Sequence, residues 1–309
     1  MRKNEFRNNN MKERKHNSTA GKNLQAFKKR SRCENSKLNR NKNEIDQPPP
    51  LKREVGKGRK KSASTSLYLY GVLPVEAALI HRRRKIDHLY LKKAADSSKR
   101  LRKIRLLGEQ YGIPVSEVSV KKLEEMCPDA LHQGVVLSCE SLPYSSFSDL
   151  PQTVEGKYNL IVALDQIADP HNLGAILRTC GFFKVSAVVV PQDHSSGLTA
   201  VVAKASAGVS EWFPVISVPN LARFIQQQKS NGFWVVGLVE DAVENVSELS
   251  QDRPIILVLG NEGKGLRPLS RRHCDWLVSI PGNPEVSSLN VSNAAAVVLF
   301  HLQNQHQIF

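Results

Sequence analysis

At 309 residues, with 40% hydrophobic residues and a formal charge of +15, the chain has room for one large domain or two modest ones and an ordinary globular composition. No apolar run approaches the roughly 20 residues that a membrane span needs, and the N-terminus lacks the apolar core of a secretory signal. The cysteines Cys33, Cys127, Cys139, Cys180 and Cys274 are odd in number, scattered, and show neither CxxC nor Cys/His spacing. That pattern excludes a disulfide framework and a zinc site, and it suits a reducing compartment: the cytoplasm, or the mitochondrial matrix in a eukaryote.

The charge is unevenly placed. Residues 1–65 carry 20 Lys and Arg against 6 Asp and Glu, whereas the remainder carries 24 against 23. This first segment, rich in Asn, Lys, Arg and Ser, has almost nothing to bury, so a disordered basic tail is expected, acting as a polyanion tether or a solubilising extension. Glu5, Glu13, Glu34 and Glu44 argue against a mitochondrial transit peptide.

A small α/β domain is expected over 66–141. YLYG opens it as a strand, 72–80 repeats apolar residues at helical spacing, and IDHLYL (86–91) alternates as a strand. A basic amphipathic helix at 97–111, a short strand near 114–118, a helix ending at Met126 and a buried strand GVVLSC complete it. The run HRRRK (81–85) reads as a solvated helix end or as an RNA-backbone contact. Residues 142–157, with scattered Ser, Pro and Gly, read as a linker. Over 158–309 the apolar runs NLIVAL, VSAVVV, WVVGLV, PIILVLG and WLVSI alternate with helical patterns, which predicts an α/β domain whose parallel sheet is covered on both faces.

Three loops at strand ends carry the candidate chemistry, because open α/β sheets bind ligands at the carboxyl ends of their strands. DQIADPHNLGAILRT (165–179) follows the first strand of this domain, with Asn172 as a plausible helix N-cap and Arg178 about two turns further in. LGNEGKGL (259–266) has three glycines, which let the backbone approach a ligand and aim N–H groups at it. It is no Walker loop, since Gly265 follows Lys264, and it is not the first-turn dinucleotide fingerprint. IPGNPEVSSLNVSNA (280–294) leaves a strand stopped by Pro281 and enters an apolar helix expected over 294–302. His132 and His171 read as lone scaffold histidines, and no GxSxG nucleophile elbow occurs.

Taken together, in this order and spacing, the three loops resemble those of the SpoU/TrmH family of S-adenosylmethionine-dependent RNA ribose 2′-O-methyltransferases. YGVLPVEAAL and LHQGVVLSC upstream look like the start and end of that family's RNA substrate-binding domain. The likeness covers everything but the tail and is greatest to members that act on guanosine in 23S rRNA and to their mitochondrial relatives. It implies a SPOUT methyltransferase domain with a deep trefoil knot, S-adenosylmethionine as cofactor, a large-subunit rRNA substrate, a homodimer, and no metal or membrane. Matched by position, Gly260, Ile280 and Leu289 hold the cofactor, while Asn172, Arg178, Glu262, Ser288 and Asn290 are the polar active-site residues. Family members usually have Met and then Gly where Gly282 and Pro284 stand here.

The chemistry asks the protein to orient a ribose hydroxyl in line with an activated methyl and to take its proton. A guanidinium makes an awkward base, so the role expected for Arg178 is phosphate anchoring and stabilisation of the developing alkoxide, with proton removal as the alternative. Asn172 and Asn290 are expected to position Arg178 or the loops, and Glu262 to orient. The alternatives are a tRNA ribose methylase and an inactive RNA-binding assembly factor on the same scaffold.

Overall fold

A computed structural model describes residues 67–150, 159–249, 254–286 and 288–305. The tail expected at 1–65 and residues 151–157 of the expected linker lie outside them. Apolar alternation builds a first sheet from β1 (Leu67–Tyr70), α1 (Val72–His81), β2 (Ile86–Lys92), α2 (Lys99–Gln110), β3 (Val115–Val118), α3 (Val120–Met126) and β4 (Val135–Cys139). Its strand order is β1-β4-β2-β3, with only β2 and β3 parallel. All five residues of β4 are buried, as suits a strand flanked on both sides. The helix expected at 97–111 starts at Lys99, after a separate 3-10 turn at Ala95–Ser97.

The second sheet holds β5 (Leu160–Asp165), α4 (Pro170–Phe182), β6 (Ala187–Pro191), α5 (Ala200–Ala205), β7 (Val215–Val218), α6 (Leu221–Ser230), β8 (Trp234–Leu238), β9 (Glu244–Asn245), β10 (Ile255–Gly260), α7 (Pro268–His273), β11 (Trp276–Ser279) and α8 (Val291–Gln305). The order is β7-β6-β5-β10-β8-β11-β9 and every pair is parallel. Alternate residues feed two cores. Leu160, Val162 and Leu164 pack with α4 and α8, whereas Ile161 and Ala163 pack with Leu221, Phe224 and Ile225 of α6. The five strands legible in sequence are present; β7 and the two-residue β9 were not expected. β10 is inserted between β5 and β8, and β11 between β8 and β9, all laid down earlier in the chain.

The HRRRK run is solvated only in part: His81, Arg82 and Lys85 are exposed, whereas Arg83 is half-buried and Arg84 buried. Arg82 lies over the Tyr111 ring at 4.1 Å. Arg83 donates to the Phe213 carbonyl (3.1 Å) and to Ser145 Oγ (2.9 Å). Arg84 is buried and pairs at 2.7 Å with buried Glu211. These partners lie far along the chain, which is why the run reads as surface in sequence. Through Phe213 and Glu211, Arg83 and Arg84 clamp the small sheet to the large one, and the two form one compact unit. The described part of the 142–157 segment is likewise tethered: Leu142 is buried, and Ser145 N–H donates to the Val215 carbonyl at 2.8 Å.

Candidate active site and cofactor cleft

The three loops meet at the carboxyl ends of β5, β10 and β11. Asp165 closes β5 fully buried, and its carboxylate accepts from Arg267 N–H (2.9 Å) and Arg267 Nε (2.5 Å). That bond pins the far end of the 261–266 loop to the strand. Asn261 organises the loop itself: its Oδ1 accepts from Gly263 N–H (3.0 Å) and Lys264 N–H (3.3 Å), and its Nδ2 donates to the Gln166 carbonyl (3.1 Å). Gly265 N–H goes back to the Asn261 carbonyl at 2.8 Å. The expectation that this loop aims its N–H groups at a ligand is therefore corrected for residues 263–265, which spend theirs on loop closure. Gly260 is required for the same reason: a Cβ there would sit 2.4 Å from the Gly265 carbonyl carbon.

Asn172 is not the N-cap of α4. Asp169 is, accepting from His171 N–H at 2.9 Å, with Pro170 at the first helical position. Asn172, three residues beyond that cap and buried, is freed for another task. Its Nδ2 donates to Glu262 Oε1 at 2.6 Å, and Asn290 Nδ2 donates both to Asn172 Oδ1 (3.0 Å) and to Glu262 Oε1 (2.6 Å). One residue from each loop thus closes a triangle across 90 and 118 positions of sequence. Asn290 also caps α8, its Oδ1 accepting from Ser292 N–H at 2.9 Å, so the helix starts at Val291, earlier than the 294 expected.

Beside the triangle opens a cleft of about 860 Å³ lined by Gly260, Glu262, Ile280, Ser288 and Leu289. All three residues expected to hold the cofactor are therefore in one place, with two of the five expected active-site residues. The departures Gly282 and Pro284 line it too; Asn283 and Pro284 begin a turn closed by Val286 N–H on the Asn283 carbonyl (3.0 Å), for which Asn and Pro are suited. Arg178 stands apart. It is exposed, lies outside the cleft, and has no hydrogen bond to Asn172 or Asn290 among the described residues. Six residues at about 100° each put it on a different face of α4 from Asn172. Of the two tasks expected of the asparagines, positioning Arg178 or the loops, their contacts are those of the second: they hold Glu262 and the loops. Sequence reading also missed Asp165, Asn261 and the pair Asp241–Arg271 (2.9 Å) on the cleft wall. A carboxylate ending an apolar strand, as in LIVALD, was the signal available for Asp165.

The cleft fits S-adenosylmethionine by chemistry. Leu238, Leu259 and Leu266 offer an apolar wall for a purine, and Glu240 and Glu262 offer carboxylates to a ligand carrying sulfonium and ammonium charges. The described cysteines are free, and burial raises Cys127 to about 11 and Cys274 to about 12, so these thiols stay protonated and are not nucleophiles.

A parallel sheet with its polar loops gathered over the strand ends is the ligand-binding arrangement of open α/β folds, and the comparisons with known proteins give its class. The SpoU rRNA Methylase family matches residues 159–300, and an RNA 2′-O ribose methyltransferase substrate-binding family matches 68–145. The chain belongs to the SpoU rRNA methylase family. Among its relatives are the 23S rRNA (guanosine-2′-O-)-methyltransferases RlmB of Pseudomonas putida, 36% identical over 78% of this chain and 97% of the relative, and of Haemophilus influenzae, 38% identical over 77% and 97%. An AdoMet-bound rRNA methyltransferase from Sinorhizobium meliloti superposes with a TM-score of 0.66 at 26% identity, covering 79% of this chain and 88% of that one.

Proposed function

We propose that this chain transfers a methyl group from S-adenosylmethionine to the ribose 2′-hydroxyl of a guanosine in 23S-type rRNA. The observation that carries the reading is the Asn172–Glu262–Asn290 triangle at the edge of the 860 Å³ cleft. The relatives' activity supports it over the tRNA and assembly-factor alternatives, because the likeness spans both the substrate-binding and the methylase segments.

S-adenosylmethionine, when bound, supplies a methyl already activated on a sulfonium. Gly260, Ile280 and Leu289 would hold it in the cleft, and Ser288 and Glu262 lie on the same wall. The triangle fixes the N-termini of α4 and α8 against the 261–266 loop, which keeps the acceptor's approach in one geometry. Arg178, exposed on α4, anchors a phosphate and stabilises the developing alkoxide.

The protein works as a homodimer. Phe182 and Phe300 are 76% and 57% exposed, and both abut Phe183, an apolar face of α4 and α8 that a second copy would cover. Arg178 shares that side of α4 with Phe182, so the second copy would border its guanidinium. The C-terminal strands are threaded as a trefoil knot, a reading supported by the insertion of β10 and β11 between earlier strands. The test is to incubate the purified chain with labelled S-adenosylmethionine and either unmodified 23S rRNA or tRNA, then digest to nucleosides. Label should appear in 2′-O-methylguanosine from rRNA; label in a base, or in tRNA alone, contradicts the proposal.

A further inference from the structure

A second concavity, of about 510 Å³, opens where the small sheet meets the N-terminus of α4. Tyr68 and Tyr70 of β1 form one wall, Met126 at the end of α3 and Asp129 beyond it another, and His171 reaches it from α4. Three observations point to a ligand.

The first is position. His171 precedes Asn172, so the concavity shares the first turn of α4 with the Asn172–Glu262–Asn290 triangle. His171 and Arg178 are seven residues apart, which at about 100° each leaves them within about 20° on the same exposed face of the helix. An RNA strand with a phosphate on Arg178 can follow that face to the concavity.

The second is the aromatic wall. Tyr68 is 38% exposed, offering a ring to the pocket. Single-stranded RNA is held by splaying bases onto such rings, and reading them on their Watson–Crick edges.

The third is Asp129. Asp129 lines the pocket, exposed and with no hydrogen bond or ion pair among the described residues, on a left-handed backbone (φ 58) that Asp and Asn tolerate better than most residues. Its neighbours are neutral hydrogen-bonding groups: burial raises both the Cys127 thiol and the Tyr70 hydroxyl, so each keeps its proton. A carboxylate accepts two parallel donors. Of the four bases, guanine presents two adjacent donors on its Watson–Crick edge, N1–H and the N2 amine. Adenine and cytosine place an unprotonated ring nitrogen there, and uracil has a single donor between two carbonyls.

We infer that this pocket receives the guanine of the methylated nucleotide, with Tyr68 stacked on the base and Asp129 accepting from N1 and N2. The inference rests on the rRNA guanosine reading above and assigns its base specificity to the small domain's β1 edge and the turn after α3.

The experiment uses the full chain and an RNA carrying guanosine or inosine at the methylated position; inosine keeps the ribose and N1–H but lacks the N2 amine. Wild type should prefer guanosine by roughly tenfold or more in kcat/KM, the scale of a bidentate base contact. Asp129→Asn, which suits the left-handed backbone, should bring the ratio close to one by lowering the guanosine rate, with cofactor affinity in calorimetry unchanged. Tyr68→Ala should slow both RNAs alike. Equal wild-type rates on the two RNAs, or an Asp129→Asn variant that keeps the wild-type preference, overturns the pocket. Absence of transfer to either RNA overturns the guanosine methyltransferase reading itself, and the pocket with it.

Discussion

Asn290 has two duties, and Asn290→Asp separates them. An aspartate keeps an oxygen for the Ser292 N–H, now 2.9 Å from Asn290 Oδ1, and adds negative charge at the N-terminus of α8, where it is favourable by about 0.3–1 kcal/mol. The C-terminal helix should therefore persist. In place of Nδ2, however, the variant sets an oxygen 2.6 Å from Glu262 Oε1 and 3.0 Å from Asn172 Oδ1. A hydrogen bond to a charged acceptor contributes about 1.5–3 kcal/mol and a neutral one about 1. Glu262 is exposed, so solvent screens part of the loss and the added repulsion. A net of about 3 kcal/mol, or roughly 10² in rate, is expected. The loss should depend on pH. Two carboxylates sharing a site push one of their pKa values up, and the protonated carboxyl is again a donor, so the variant should regain activity relative to wild type as pH falls. The assay is single-turnover methyl transfer between about pH 6 and 8.5, with circular dichroism to check the helix. A variant within about threefold of wild type at the alkaline end, with helix content unchanged, would show that the triangle does not hold the reacting geometry.

Arg178→Ala should lower methyl transfer by about 10²–10³ while leaving cofactor affinity within a few-fold, and Arg178→Lys should recover little because an ammonium cannot reproduce the planar fork; steady-state rates and calorimetry check both. Gly260→Ala drives a Cβ to within 2.4 Å of Gly265, so the loop cannot close and cofactor affinity in calorimetry should fall by more than about tenfold, roughly 1.4 kcal/mol or more. Arg84→Met leaves Glu211 buried and unpaired and should cost about 3–5 kcal/mol in denaturant unfolding, with Arg84→Met/Glu211→Leu recovering most of it. Burial raises Glu211 above 4.5 and Arg84 opposes the rise; without Arg84 the value climbs further, so stability present below about pH 4.5 is lost as pH rises through the folded value, and the deficit should widen from pH 5 to pH 8. Deleting residues 1–65, which hold +14 of the +15 charge, should flatten the salt dependence of RNA affinity by about 0.7 in log–log slope for each phosphate contact removed, without moving the methylated position.

What the sequence disclosed was whatever repeats with a short period or sits in one stretch. Strands β4 to β6, β8, β10 and β11 lie in apolar runs bounded by breakers, so their existence was plain, whereas β9 has only two residues and β7 is a four-residue VISV just after Pro214. The three loops were legible because each sits between a strand and a helix or turn. Their internal wiring was not. Asn172 read as a cap because Asp169 and Asn172 are both good capping residues, and only the fold shows which one reaches an N–H. The glycines of 259–266 read as a ligand cradle, since nothing local reveals that Asn261 consumes the neighbouring N–H groups. Arg82, Arg83 and Arg84 read as surface because their partners come from elements far along the chain.

The central claim is ribose methylation of one rRNA guanosine, and the most direct test maps 2′-O-methyl groups in 23S-type rRNA from cells with and without this gene. The account predicts that a single guanosine loses its 2′-O-methyl group, that the intact gene restores it, and that the Arg178→Ala form does not. An unchanged rRNA map, or full restoration by Arg178→Ala, would contradict it.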